Sequence, residues 1–516
     1  MSLRVLVFGL LLGLLGSSGS NLAAQALPLP SSAPPPRVSP LPLEKHKWVR
    51  VETEEFRVLS NAPLSNARVI ARDLEELRRA MAELTVLDLR SPVPIWIFLF
   101  ATDRSMIPYK HRYEGEPASI SGAFYSRPYG DYILVNGAER GEARRTVYHE
   151  YVHSVLRSQA PNLPVWLEEG LAEFFSSLEW VKGEGQDPPK ILVGRPLPRH
   201  LKQLARDKLL PLKDLFQVGA NSPLYNVFEH QGEVYARSWE LMHYLILGNE
   251  ERRPQAMEFV RLMAEGRLQD EAFKNAFGID YEDLEKELAD YRKKGFPSRE
   301  LTPSPPKTEG FRAREVSYPQ VLVHLGDLLV AQGEREKDAL FHFDEALRRN
   351  PDHGGAVAGL GLVALEQRDY ANARALFRKA AGLAPQSARL HYHYGDSLLV
   401  LGRGIAAGKL AEARTYLRRS LELNPSFAPA WARLAASYDE IDSKLSESVL
   451  PDDPDTALRL MAFYSRLGAR SDASKLFQSY FKNLPDKKAR HTAELMMERM
   501  PDPGAGTKKE ALDLIR

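Results

Sequence analysis

Two histidines four residues apart, His149 and His153, bracket Glu150 in the stretch Val147-Tyr-His-Glu-Tyr-Val-His153. On an α-helix, residues i and i+4 share one face, so both imidazoles can reach one cation while Glu150 flanks it. Two imidazoles beside a carboxylate that can take a proton from water is the chemistry of metal-assisted hydrolysis. The chain of 516 residues contains no cysteine, so thiolate nucleophiles, Cys-based zinc sites, iron–sulfur clusters and disulfides are excluded. A metal here has only histidine and carboxylate ligands to choose from.

The elements that must position these groups are two helices. From Glu142 to Arg157 there is no Pro or Gly, which predicts a helix through the motif. After a turn at Pro161-Asn-Leu-Pro164, Val165-Trp-Leu-Glu-Glu-Gly-Leu-Ala-Glu-Phe-Phe175 reads as a second helix. Hydrolytic zinc commonly takes two His and one carboxylate and leaves a position for water. Glu169 and Glu173 are i,i+4 neighbours on one face, whereas Glu168 points about 100° away. Glu169 is therefore the expected third ligand. Glu173, one turn on, is placed to accept the far N–H of His149 and set its tautomer. The competing reading is a solvated acidic face, which the neighbours Trp166, Leu167, Leu171, Phe174 and Phe175 argue against.

HEYVH followed by WLEEGLAEF resembles the gluzincin zinc metallopeptidases, especially the bacterial peptidase-MA-like families with C-terminal tetratricopeptide repeats. The resemblance spans most of residues 48–295 and includes Val193-Gly-Arg-Pro-Leu-Pro198, Tyr235-Ala-Arg-Ser-Trp239 and Phe277-Gly-Ile-Asp280. It implies His149, His153 and Glu169 as ligands of one Zn2+ per chain and Glu150 as general base. It also implies a downstream tyrosine as oxyanion donor, with Tyr235 first and His230 and Tyr225 behind it. Tyr235, Trp239, Met242 and Ile246 equally form one helical face that a core would bury. Two departures from the family pattern stand out. Fifteen residues separate His153 from Glu169, a shorter connection than in thermolysin-like enzymes. Gly122-Ala-Phe-Tyr-Ser126 stands where gluzincin aminopeptidases carry a Gly-x-Met-Glu-Asn element, and the Glu that holds a free amine is missing. The resemblance thus implies an endopeptidase, with inactive scaffold and non-peptide envelope hydrolase as the other readings. His111, His200 and His243 have no ligand spacing and read as surface or core residues. Asp131-Tyr-Ile-Leu-Val-Asn136 is the expected edge strand for an extended substrate.

Around this centre the chain is long enough for two or three domains. Its 69 Lys+Arg against 68 Asp+Glu give no electrostatic case for a nucleic-acid partner. Residues 1–26, with Arg4, an apolar run from Val5 to Leu15 and Ala24-Gln-Ala26, read as a signal peptide and imply export to the periplasm or beyond. No integral membrane segment is expected after its removal. Residues 27–46 form a Pro-rich tether and 296–319 a Pro-rich linker between two independent cores. Between them, 47–295 is expected to be an α+β domain, strands first and helices after, with strands at Trp48–Val51, Phe56–Leu59, Ile95–Phe100 and Tyr132–Val135 and a helix over Asn66–Leu84.

Past the linker the chain repeats. Gly361, Ala373, Phe377, Ala380 and Pro385 fall at tetratricopeptide intervals, and Leu322, Leu325, Gly326, Ala339, Phe343 and Ala346 repeat them upstream. Trp431, Leu434 and Tyr438, then Ala473, Phe477 and Pro485, continue the phase. Residues 320–487 are therefore expected to form an all-α solenoid of four to five helix pairs that docks a protein partner, before a tail at 488–516.

Overall fold

The computed structural model describes Leu6 and Val7, residues 41–439 apart from short stretches (the longest 183–188, 304–310 and 401–406), and a few residues between 477 and 494. Most of the expected signal peptide and tether, the repeats beyond 439 and the tail lie outside the described residues. Strands β1 (Leu6–Val7), β2 (Trp48–Glu52), β3 (Phe56–Ser60) and β4 (Ile95–Phe100) precede a small hairpin, β5 (Arg112–Tyr113) and β6 (Glu116–Pro117). Helix α1 (Leu64–Leu84) separates β3 from β4, and the single turn α2 (Asp103–Met106) follows β4. Then come β7 (Gly122–Arg127) and β8 (Gly130–Asn136). The main sheet runs β1-β7-β8-β4-β3-β2-β12, where β12 is Arg312–Val316. Strands β3, β4 and β8 are parallel and the outer pairings are antiparallel.

β8 is therefore an interior strand, not the expected edge. The tight turn at Pro128-Tyr129 folds β7 back alongside it, and β7 takes the outer position. Among the described residues only Leu6 and Val7 lie beyond β7.

One sheet face carries Val51, Phe56, Val58, Ile95, Ile97, Leu99, Ile133 and Val135 and is covered by α1 and the motif helix α3 (Arg140–Gln159). α3 leads into α4 (Val165–Ser176), and a second, three-stranded sheet joins β9 (Glu179–Val181), β10 (Lys190–Val193) and β11 (Arg299–Leu301). Between β10 and β11 lie α5 (Pro198–Leu204), α6 (Leu212–Leu215), α7 (Pro223–Asn226), α8 (Phe228–His243), α9 (Arg252–Ala264), α10 (Gln269–Phe277) and α11 (Tyr281–Lys294). This is the strands-first α+β domain expected from the pattern.

The other sheet face carries Trp48, Leu59, Phe98, Phe100, Tyr132 and Leu134, and it is just as buried. Its cover is the repeat region, which begins with α12 (Tyr318–Gln332) and α13 (Glu336–Arg349). α14 (Gly354–Glu366) and α15 (Tyr370–Leu383), α16 (Ala388–Leu399) and α17 (Ala407–Leu423), and α18 (Ala428–Asp439) continue the helix pairs. The apolar alternation of the strands is filled on both sides, as in a sheet enclosed by two layers. Stretch 296–319 is accordingly not a spacer between independent cores. β12 pairs residue for residue with β2, from Arg312 opposite Glu52 to Val316 opposite Trp48. Arg335 then donates to the carbonyls of Lys110 and Pro108, Arg127 to those of Ala331 and Val330, and Gln332 to that of Tyr109. These bonds satisfy backbone oxygens across the junction that would otherwise be lost to a dry interface.

Candidate metal centre

α3 and α4 bring the sequence-predicted residues together. His149 and His153 face each other with Nε2 atoms 3.0 Å apart. Glu169 Oε2 lies 3.3 Å from His149 Nε2 and 3.7 Å from His153 Nε2. Zinc–nitrogen bonds of about 2.0–2.1 Å at tetrahedral angles place neighbouring ligand atoms about 3.3 Å apart. The three separations bracket that value. All three side chains are buried, and they form a cluster able to hold a metal ion. Glu169 Oε2 is buried, with the two imidazole Nε2 atoms beside it but no well-aligned hydrogen bond to either, a state that a cation between the three would relieve. The residues present therefore fit Zn2+.

Why Glu169 and not Glu168 enters the cluster follows from helix packing. α4 lies against α8 so closely that a Cβ on Gly170 would meet the Ser238 carbonyl oxygen and Met242 Cγ, each at 2.5 Å. Burying that side of α4 turns the adjacent Glu169 inward, whereas Glu168 stays half-buried. Burial opposes ionisation of Glu169, but the two imidazoles overcome it and hold the carboxyl down to about 2. Reciprocally, burial disfavours a charged His149, and the carboxylates of Glu169 and Glu173 override it and raise the imidazole to about 10.

Glu173 sits on the far side of His149, with Oε1 3.4 Å from Nδ1. Its other oxygen contacts Arg199 Nη2 at 2.6 Å and His200 Nε2 at 2.8 Å. Two neighbours on Oε2 orient the carboxylate so that Oε1 faces His149. His200, read from sequence as a surface or core residue, belongs to this chain of contacts and stacks on Trp239. Its signal was invisible in one dimension, because α5 reaches Glu173 only through the fold.

Glu150 is buried beside the cluster, and Oε2 has no hydrogen-bond partner. Burial pushes its carboxyl up, against the opposing pull of His149 and His153. A raised carboxyl pKa suits a group that must both take and return a proton. Tyr235 on α8 is buried, with its ring 6.4 Å from that of His149. Tyr225 on α7 donates to Glu169 Oε1 at 2.6 Å, so the tyrosine in direct contact with the expected ligand set is Tyr225. The side chain of His230 lies outside the described residues. His243 is a core residue, bonded to Tyr291 Oη and the Gly194 carbonyl, and His111 lies away from the cluster in the segment before β5.

Comparison with known proteins divides the chain in the same way. A tetratricopeptide-repeat family matches residues 323–388 and 360–404, so the helix pairs from α12 to α16 are tetratricopeptide repeats. A family described as a protein of unknown function, DUF1570, matches residues 144–266, which hold α3, α4 and α8. A curated relative, cellulose synthase operon protein C of Xanthomonas axonopodis pv. citri, is 32% identical over 148 residues. That match takes in 26% of this chain and only 10% of the relative. Among solved structures, a thermophilic tetratricopeptide protein of Thermus thermophilus is 20% identical, over 35% of this chain and 99% of its own, at a TM-score of 0.22. The C-terminal part of a repeat-containing protein of Cytophaga hutchinsonii is 14% identical, over 55% and 95%, at 0.26.

Proposed function

We propose that this chain is an exported zinc-dependent hydrolase of the gluzincin metallopeptidase type, cleaving peptide bonds at a site that its repeat region helps supply with partners or substrate. The observation that supports it is the convergence of His149, His153 and Glu169 around one point, with Glu150 buried beside them. Zinc bound there would supply a Lewis acid and bring the pKa of a water toward neutrality. Glu150 would take the proton of that water and deliver it to the leaving amine. Glu173, held by Arg199 and His200, orients His149 so that Nε2 faces the ligand cluster. Tyr225 orients Glu169, and Tyr235 behind it is the candidate donor to a developing oxyanion. β7, outside β8 and against α3, is the strand an extended substrate would pair with.

The relative named for a cellulose synthase operon favours a second reading, in which the same centre serves a cell-envelope polysaccharide system and hydrolyses a non-peptide bond, or in which the chain acts there only as a repeat scaffold. Hydrolysis of a casein-derived peptide library against a panel of envelope glycans by the zinc-loaded chain separates these readings. Peptide cleavage that Glu150→Gln abolishes supports the first. Glycan cleavage alone supports the second, and turnover of neither leaves the scaffold.

A further inference from the structure

One arginine beside the ligand cluster has only part of its guanidinium in use. Arg145 stands on α3 four residues before His149, so Arg145, His149 and His153 share one helix face. Its Nη1 donates to Glu142 Oε1 at 3.1 Å, and among the described residues Glu142 is its one ion-pair partner. Nε and Nη2 are buried and meet no hydrogen-bond acceptor among the described residues. Those two nitrogens are the side-on fork of the guanidinium, whose parallel N–H bonds match the two oxygens of a carboxylate. A buried donor without an acceptor carries a desolvation cost, and here two lie together on one charged group.

Arg145 is set between two elements that bound the cluster at this end. The next residue, Thr146, packs on the start of β7. Its hydroxyl is 3.4 Å from Ser121 Oγ, and a Cβ on Gly122 would lie 2.1 Å from its Cγ2. On the other side stand Glu173 and, from α5, Arg199. Burial and then the Arg199 charge lower the Arg145 guanidinium from its ordinary value, against the pull of Glu142 and Glu173. Neither neighbour satisfies the fork. Arg199 is held by Glu173 Oε2 at 2.6 Å, and Glu173 also faces His149 and His200. The Arg145 side chain is 27% exposed, so rotation about its outer torsions brings the fork to solvent.

We infer that Arg145 is a specificity-determining residue of this site and takes a carboxylate of the peptide substrate, side-on, next to the bond that is cleaved. The inference rests on the hydrolase reading and narrows it to peptides with a carboxylate near the scissile bond, on an Asp or Glu side chain or at the chain end. A peptide lying along the outer edge of β7 passes the start of that strand, where Thr146 and with it Arg145 stand. Four residues of helix put Arg145 about 6 Å along the axis from His149. At about 3.3 Å per extended residue, the carboxylate it holds lies within about two positions of the residue at the metal centre. Glu142 and Glu173 on either side favour a singly charged ligand over a dianionic phosphate. A site built to hydrogen-bond such a group rejects the analogue lacking it, because its own donors are then left unpaired.

The test reads binding apart from turnover, in the zinc-reloaded full chain carrying Glu150→Gln, by anisotropy with rhodamine-labelled heptapeptides. One has a single central Glu among alanines and an amidated end, the second has Gln in its place, and the third is all alanine with a free C-terminal carboxylate. At least one charged peptide should bind about 10-fold or more tightly than the neutral one, as expected for hydrogen bonds to a charged group. Which one does so distinguishes a side-chain from a chain-end carboxylate. Adding Arg145→Gln should bring the three affinities within about 2-fold of one another. Arg145→Lys, which keeps the charge and loses the fork, should remove about 2- to 10-fold of the preference, as for one lost hydrogen bond. Melts of both variants are compared with the parent, and the lysine variant carries the test if the glutamine variant does not fold. Arg267→Gln, exposed and ion-paired to Glu271, is the control and should change nothing. No preference for either charged peptide, a preference that survives both Arg145 substitutions, or binding of a trigalacturonate in place of both peptides would overturn the inference. The chain with Glu150 intact is assayed for cleavage of the same peptides. Arg145-dependent binding without cleavage overturns only the hydrolase reading and leaves Arg145 a carboxylate-binding residue, and cleavage without a charge preference overturns only this inference.

Discussion

Ending the chain after Ser298 removes β11, β12 and every repeat helix while leaving His149, Glu150, His153 and Glu169 in place. The sequence pattern suggests that such a fragment folds alone, and the structure predicts that it does not. Trp48, Leu59, Phe98, Phe100 and Leu134 are each at most 2% exposed, and α12 with its successors supplies their cover. Returning five such side chains to water costs about 7–15 kcal/mol at about 1.5–3 kcal/mol each. A native domain's whole stability is about 5–15 kcal/mol. Losing β12 also opens the edge of β2, a template for intermolecular pairing. The fragment should therefore be recovered as aggregate, or as a species with helical far-UV dichroism, little near-UV signal and no cooperative melt. Full-length protein and fragment are compared by size exclusion, dichroism and thermal melting. A monomeric fragment with a cooperative transition within about 5 °C of the parent and one zinc per chain would refute the reasoning, because it would show that the two layers need not cover each other.

Other substitutions probe the site and its supports. Glu150→Gln should retain zinc and lower turnover by about 10²–10⁴-fold, read by metal analysis and steady-state rate on one sample. Glu173→Gln should weaken zinc by about 10–100-fold in a chelator competition, since His149 loses the acceptor that orients it. Gly170→Ala should destabilise the fold by about 1–3 kcal/mol in urea melts and loosen zinc with it, because the new methyl meets backbone at Ser238. His243 is held down to about 4 by burial, against the pull of the Gly194 carbonyl. The unfolded chain takes up that proton near 6.5 and the folded one only near 4, so stability present above about pH 6.5 is lost as pH falls toward 4, by about 1.4 kcal/mol per unit. His243→Asn should flatten the stability–pH slope in that window by one proton, and an unchanged slope would assign the acid sensitivity to other groups.

The clustering of His149, His153 and Glu169 was legible because its parts are local. His149, Glu150 and His153 sit within two turns of one helix, and Glu169 could be picked from its neighbours by the 100° step. The strands with apolar runs were legible for the same reason. Ile95-Trp-Ile-Phe-Leu-Phe100 also carried an unread message: a strand apolar on both faces needs a second cover, and that cover is the repeat region. β12 was not legible, since Arg312, Arg314 and Glu315 do not look like a strand and become one only by pairing with β2. The outer position of β7 depends on a two-residue turn, and the roles of His200 and Tyr225 depend on α5 and α7 arriving at α4 from far along the chain. Contacts of that kind are set by tertiary packing, and no period in the sequence records them.

Zinc per chain tests the central claim most directly. Full-length protein stripped with chelator, reloaded with excess zinc and desalted should carry one equivalent by mass spectrometry, and Glu169→Ala prepared alongside should carry close to none. No zinc in the reloaded parent, or full occupancy in Glu169→Ala, would contradict the assignment of His149, His153 and Glu169 as a metal centre.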